Sequence, residues 1–198
     1  NQSELQIDGF INYHFITSPV ERGFKKLLLE AGINRVAPTS HHGEIRRPVM
    51  ALRSSPWKAG AESNPWHDEF DLDHGHVRYY GDHKASTVGL PGVTPGNKAL
   101  LEEWRFHSGT SPTERKLAAP LLLFRAKSVN LEGRTRHQGF VEFCGVGLIE
   151  RLEHIVQRDP KTGKSFPNIV IDLAIVQANE GDVIDMRWID DRRDPELS

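Results

Sequence analysis

Apolar and polar positions along the chain follow two rhythms, and the change from one to the other marks the elements. Near the N-terminus Val20, Phe24, Leu27, Leu28 and Ala31 recur at the spacing of successive helical turns, which predicts a helix with one buried stripe. Ser18-Pro19-Val20-Glu21 supplies its start, with a serine cap, proline at the first helical position and a glutamate that reaches back to the cap. Gly32 offers its end. A second helix is predicted over Gly96 to Phe106, closed near Gly109, and Ser111-Pro112-Thr113-Glu114 repeats the capping box before a short third. Val49 to Arg53, His76 to Tyr80, Leu121 to Val129, Phe140 to Ile149 and Ile169 to Gln177 are rich in branched and aromatic residues between Gly and Pro breaks, and read as strands. The tail from Val183 to Arg192 reads as a helix burying Val183, Met186 and Ile189.

Helices early and mid-chain with long strands late predict an α+β fold, a curved antiparallel sheet or open β-barrel flanked by helices. Phe140-Val141-Glu142-Phe143 and Val170-Ile171-Asp172-Leu173 mix apolar runs with partial alternation, as in a sheet with one covered face. With no repeat, low-complexity tract or linker, residues 1–198 read as a single domain long enough to bury a real core.

Composition narrows the classes. Apolar residues make up 37% of the chain and charged residues 26%, as in ordinary globular domains. No apolar run approaches the length of a bilayer span, and no basic, then apolar, leader opens the chain, so the expected compartment is the cytoplasm with no membrane partner. Cys144 is the single cysteine, which excludes an intrachain disulfide and a multi-cysteine zinc site. The net charge of −2 hides segregated blocks. Arg22, Lys25, Lys26, Arg35, Arg46, Arg47, Arg53 and Lys58 stand against only Glu30 and Glu44, and the stretch from Arg105 to Arg136 is similarly basic. The compensating acid is concentrated in Glu62 to Asp73 and after Glu180. Such blocks suit one basic face on a neutral protein, as phosphate binding requires, and equally suit solvated faces.

The densest chemistry lies from Asn64 to Lys84. Trp66 is followed by Asp68, Glu69, Asp71 and Asp73, then by Gly75, a strand ending in Tyr79-Tyr80, and Gly81-Asp82-His83-Lys84. A plain reading is a charged loop leading into an edge strand. A sharper one is a pocket for an extruded base, which needs aromatic faces in place of its lost neighbours and polar groups for its Watson–Crick edge. Trp66, Tyr79 and Tyr80 offer the faces, and Asp71 or Asp68 the acceptor for a cytosine amino group.

This pattern resembles the base-pocket segment of SRA domains, which flip 5-methylcytosine and read it with an aspartate between two aromatic rings. Taken with Arg53-Ser54-Ser55-Pro56-Trp57-Lys58-Ala59-Gly60 and Trp188-Ile189-Asp190-Asp191-Arg192-Arg193-Asp194, it resembles more specifically the N-terminal recognition domain of AspBHI-type (MspJI family) modification-dependent endonucleases. The resemblance implies that Asp71 reads the base and that Tyr79 stacks on it. Tyr80 competes for that role, because the strand from Gly75 to Gly81 is one residue shorter than the SRA pattern. Trp66 stands for the second aromatic, five places before the aspartate where SRA domains have three. The implied partner is double-stranded DNA carrying a modified base, with 5-methylcytosine first. Arg53, Ser54, Trp57, Lys58, His83 and Lys84 are expected at the DNA. So is the loop Arg134-Thr135-Arg136-His137-Gln138, a tip suited to phosphates and to the gap a flipped base leaves.

Two other readings stand beside this one. A phosphorothioate reader of the kind that fronts McrA-like endonucleases belongs to the same class. A small metal-dependent or acid–base enzyme would use Asp68, Asp71, Asp73 and the histidines up to His76, with His74-x-His76 as a conceivable zinc pair. No H-E-x-x-H, P-loop or HNH-like cluster occurs, and Arg125-Ala126-Lys127 lacks the middle carboxylate of a nuclease strand. The start at Asn1 without methionine suggests an excised domain. Catalysis, its divalent metal and any oligomerisation are therefore expected in a separate nuclease domain, with no cofactor in this one.

Overall fold

The computed structural model describes residues 6–7, 10–12, 31–41, 43–56, 67–131, 133–136, 140–176 and 188–193. Its first strands are β1 (Gln6–Ile7), β2 (Phe10–Asn12), β3 (Ile33–Arg35), β4 (Thr39–His41), β5 (Glu44–Arg46) and β6 (Met50–Ser54). Then come β7 (Glu69–Asp71), β8 (His76–Tyr80), α1 (Pro95–His107) and α2 (Pro112–Leu117). The chain continues through β9 (Leu121–Ala126), β10 (Val129–Leu131), β11 (Arg134–Arg136), β12 (Phe140–Arg158), β13 (Ser165–Val176) and α3 (Trp188–Arg193). The helix predicted after Ser18 lies outside the described residues, apart from Ala31. No described helix is long and apolar enough to cross a membrane.

Two compact units divide the chain, the first from residues 1–55, 121–145 and 178–198, the second from 56–120 and 146–177. In the first, β3 pairs antiparallel with β6, and β6 pairs parallel with β9. Parallel partners need a long crossover, and here residues 55–120 provide it. The sheet is thus mixed where the sequence predicted antiparallel, and among the described residues no pairing joins the ends of its path from β3 to β7. Leu121, Leu122, Leu123 and Phe124 are all fully buried, as an unbroken apolar run on an inner strand requires. The first residues of β12 pair with β2, and Glu142 there takes Arg125 at 2.7 Å and Lys127 at 3.1 Å. Burial and the neighbouring Glu142 charge push the Cys144 thiol up to about 11, which disfavours its thiolate. Ile189 of α3 is fully buried, and Arg192 donates to the Pro48 carbonyl at 2.9 Å, so the described end of the predicted tail helix closes this unit.

The second unit centres on the long β12–β13 hairpin, which continues well past the predicted ends at Ile149 and Ile169, with an irregularity between Ile149 and Arg151. β13 then pairs with β8, and β8 with β7. Val77, Tyr79, Ile169, Ile171 and Leu173 are buried, as are Ala99, Leu100 and Phe106 of α1. The Val, Ile, Leu and Phe side chains among these each contribute about 1.5–3 kcal/mol relative to exposure. Helix α1 starts with Pro95 at its first position but has no cap of its own, and Asp82 serves instead. Its carboxylate accepts from the backbone N–H groups of Gly96 at 3.2 Å and Asn97 at 3.1 Å and from the Thr94 hydroxyl. α2 has the predicted capping box, with Ser111 and Glu114 each accepting from the other's backbone N–H.

One buried network pins the strand just after Tyr80. Asn97 donates to Asn168 at 3.1 Å, and Asn168 donates to the Gly81 carbonyl at 2.9 Å. Both asparagines are fully buried, and a Cβ on Gly81 would stand 2.1 Å from Asn97 Oδ1. The asparagine cannot retreat without losing its bonds, so Gly81→Ala is expected to cost about 1–3 kcal/mol, the usual range for overpacking. A thermal melt checks this, with a fall of about 2–4 °C per kcal/mol at this chain length.

Candidate nucleic-acid interface

The acidic segment folds into a short β-hairpin at the edge of the second unit. Glu69 lies opposite Arg78, Phe70 opposite Val77 and Asp71 opposite His76. Gly75 closes the turn at φ +67°, a left-handed conformation in which a Cβ is strained, and its N–H donates to the Leu72 carbonyl at 3.1 Å. Directly opposite residues share a face, so Glu69, Asp71, His76, Arg78 and, further along β8, Tyr80 stand on one side. Val77 and Tyr79 stand on the other. Tyr80 lies four positions beyond His76, which faces Asp71, so the backbone positions of Asp71 and Tyr80 are offset by roughly 13 Å along the strands. His76 and Arg78 stand between them on the same face, so the carboxylate and the ring belong to one polar surface of the hairpin.

Alternation also separates the two tyrosines. Tyr79 is only 3% exposed and belongs to the core of the unit, whereas Tyr80 is half-buried on the Asp71 face. Asp68 does something different from Asp71. Its Oδ1 accepts the Tyr80 backbone N–H at 3.0 Å, which fixes the strand carrying the ring. Between Asp71 and Tyr80, Arg78 donates to Asp172 at 2.9 Å and to Glu153 at 3.1 Å. Burial alone would lower its guanidinium, but hydrogen bonds to Tyr80 and Glu153 and the charge of Asp172 outweigh this and raise it. His76 reaches 3.8 Å from Asp172. The face is therefore firm under Arg78 and open at Asp71.

At the rim, His74 Nδ1 lies 2.8 and 2.9 Å from the two oxygens of Asp71, and its backbone N–H points at Oδ1 from 3.4 Å. The His74 hydrogen bond holds the Asp71 carboxyl below its ordinary range, and the same bond raises the His74 imidazole. Both side chains are exposed, so the pair is screened by solvent. A carboxylate has about four acceptor sites, so the two His74 donors still leave Asp71 able to accept an amino group. Among the described residues no group of three or more His, Cys, Asp or Glu side chains comes together to hold a metal ion.

The other predicted residues scatter. Trp57, Lys58, Trp66, His137 and Gln138 lie outside the described residues. Arg134 is exposed on the two-stranded ribbon of β10 and β11, in the first unit, where Val129 pairs with Arg136 and Leu131 with Arg134. Gly133 turns that ribbon at φ +75°. Lys84 is half-buried, and Arg53 is half-buried with its backbone N–H on the Gly32 carbonyl at 2.7 Å. Two expectations need correction. His83 is fully buried with neither ring nitrogen bonded among the described residues, and Ser54 is 4% exposed, so neither presents its side chain to a phosphate here. Ser54 is the last residue of β6 and continues its buried run, and His83 lies three residues past the end of β8 beside the buried Gly81. The sequence singled out His74 only as half of a conceivable zinc pair, and the Arg78–Asp172–Glu153 group not at all. Their signals were a histidine three places after Asp71 beside a glycine turn, and an aspartate inside the apolar run of β13.

Comparison with solved structures gives this geometry a class. The MspJI restriction endonuclease in complex with a 27-mer oligonucleotide is 61% identical, with a TM-score of 0.82 over 98% of this chain and 43% of that one. The DNA-recognition domain of the cytosine modification-dependent restriction endonuclease LpnPI matches at 0.60 with 19% identity, over 84% of this chain and 68% of that one. The DNA modification-dependent restriction endonuclease AspBHI matches at 0.60 with 22% identity, over 82% and 68%. No curated protein matches. The fold is thus that of the SRA-like DNA-recognition domains of modification-dependent restriction endonucleases. Residues 20–197 match the family described as the restriction endonuclease AspBHI N-terminal domain, and the chain belongs to it. It spans less than half the length of the MspJI chain.

Proposed function

We propose that this domain binds duplex DNA and reads a modified cytosine, 5-methylcytosine first, after turning the base out of the stack. The observation that carries the reading is the shared face of Asp71 and Tyr80, an ionised acceptor at the rim and a ring deeper on the same strand pair. The acceptor suits the exocyclic amine of cytosine and the ring suits its π-face. Membership of the family and the likeness to MspJI support DNA as the partner. Recognition of this kind needs no cofactor. Cleavage, its divalent metal and any assembly into oligomers then belong to a part of the protein outside this chain, and the whole acts in the cytoplasm.

The test is a set of titrations in EDTA on duplexes that differ only in one position: unmodified, 5-methylcytosine, hydroxymethylcytosine, 6-methyladenine and phosphorothioate. The 5-methylcytosine duplex should bind tightest without metal. First rank for phosphorothioate or 6-methyladenine would overturn the assignment, and a requirement for metal would favour the enzyme reading of the Asp68–His76 segment.

Binding should also weaken steeply with salt, with a log–log slope of about −0.9 for each phosphate contact. Arg134 stands exposed on its ribbon, so Arg134→Ala should flatten that slope by roughly one contact while leaving the preference between duplexes intact. An unchanged slope would take the ribbon off the DNA backbone.

A further inference from the structure

A reader built from acid faces an electrostatic obstacle. Glu69 and Asp71 stand exposed on one face, Asp73 follows in the turn, and the proposed ligand is a dense polyanion. Carboxylates drawn toward phosphates are repelled, and an exposed aspartate is also free to change rotamer and lose its aim. The other titratable groups facing Asp71 are His74 in the turn, His76 across the strand pair and Asp73. Of these only His74 bonds it, and it does so centrally, with Nδ1 2.8 Å from one carboxylate oxygen and 2.9 Å from the other. That placement fixes the plane of the carboxylate and leaves its outer lone pairs for a base.

We infer that His74 is a positioning residue for base recognition: it holds the Asp71 carboxylate in one orientation and, as an imidazolium, offsets its charge against the approaching phosphates. This rests on the base-reading role proposed for Asp71. The sign of the pH dependence follows. The bond to Asp71 raises His74 in the folded chain, so the compensating charge is present at low pH and is lost as pH rises through that raised value. Above it, Asp71 meets the DNA with its charge uncompensated. Because the pair is exposed, the effect is of the size of a surface ion pair, about two- to fivefold in affinity.

The experiment measures binding of the chain to a duplex with one 5-methylcytosine, and to its unmodified twin, from about pH 6 to about pH 8.5, the range in which histidine titrates. Wild type, Asp71→Ala, His74→Ala and His74→Asn are compared, with thermal melts of each. The wild-type affinity should fall across this range by about two- to fivefold more than that of either His74 variant. His74→Ala should already be weaker by about that factor near pH 6 and should prefer the methylated duplex less. His74→Asn should recover the preference, since its amide nitrogen can stand in for Nδ1, yet show no pH step. If both His74 variants keep the wild-type pH profile and preference while Asp71→Ala has lost its own, His74 merely shapes the turn and the inference fails. Retention of preference by Asp71→Ala overturns the base-reading role of Asp71, and the role of His74 with it. If His74→Ala melts markedly earlier, the asparagine variant decides, and a wild-type pH step in it refutes the charge role.

Discussion

Asp71→Ala is expected to remove the preference for modified DNA while leaving the domain folded and still able to bind DNA weakly. The side chain is exposed at a hairpin turn, so its loss opens no cavity, and among the described residues only His74 loses a partner. Recognition, by contrast, loses its ionised acceptor. A hydrogen bond to a charged group contributes about 1.5–3 kcal/mol, so affinity for the methylated duplex should fall by roughly 10- to 150-fold. What remains is attraction to phosphates, which is blind to the base, so the ratio between methylated and unmodified duplexes should approach one. Competition binding with both duplexes, beside a thermal melt, checks this. An unchanged ratio would move the acceptor role to Asp68, Glu69 or Asp73, since a carboxylate that accepts one backbone N–H keeps further acceptor sites.

Tyr80→Ala should act differently, weakening binding to both duplexes together. Burying one methyl contributes roughly 0.8 kcal/mol, only about a fourfold preference, so a flat ring against the methyl cannot by itself make a useful reader. The ring does more by replacing the stack that an extruded base leaves. Extrusion costs a few kcal/mol, and an aromatic platform returns about 1–3 kcal/mol for any base. Losing it should cost roughly 5- to 150-fold for both duplexes and change their ratio little. Tyr79→Ala, deep in the core, should instead lower the melting temperature. The opposite pattern would mean that the buried tyrosine lines the pocket. Separate titrations of the two variants, each with its melt, distinguish these outcomes.

Much of this arrangement was legible in the sequence, and what was not has definite causes. β8 was visible to the residue because His76 to Tyr80 alternates between Gly75 and Gly81. α1 and α2 were visible because proline at the first position and a capping box are local chemistry. The parallel pairing of β6 with β9 was not, since neither strand carries its partner's direction in its own residues. Nor was the extent of the β12–β13 hairpin. Its outer half carries Arg151, Glu153, His154, Gln157 and Arg158 among few apolar residues, and strand pairing rather than apolar content sustains it. For the site, the resemblance picked out Asp71 but left two tyrosines in play. Only the register of β7 on β8 gives one of them the aspartate's face. His83 misled for a related reason. Beside Lys84 it looks like a surface cation, yet it sits where the buried end of β8 meets the Asn97–Asn168 network.

The most direct test of base extrusion is fluorescence from 2-aminopurine placed next to the single 5-methylcytosine in a duplex. Stacking quenches this base analogue, and removal of its neighbour from the stack relieves the quenching. With the domain at saturation in EDTA, emission should rise for the methylated duplex, and should rise much less for Tyr80→Ala at equal occupancy. Emission that stays quenched while the methylated duplex is fully bound would mean that the cytosine never leaves the helix. The modification would then be read in the groove, and the Asp71–Tyr80 face would not be a base pocket.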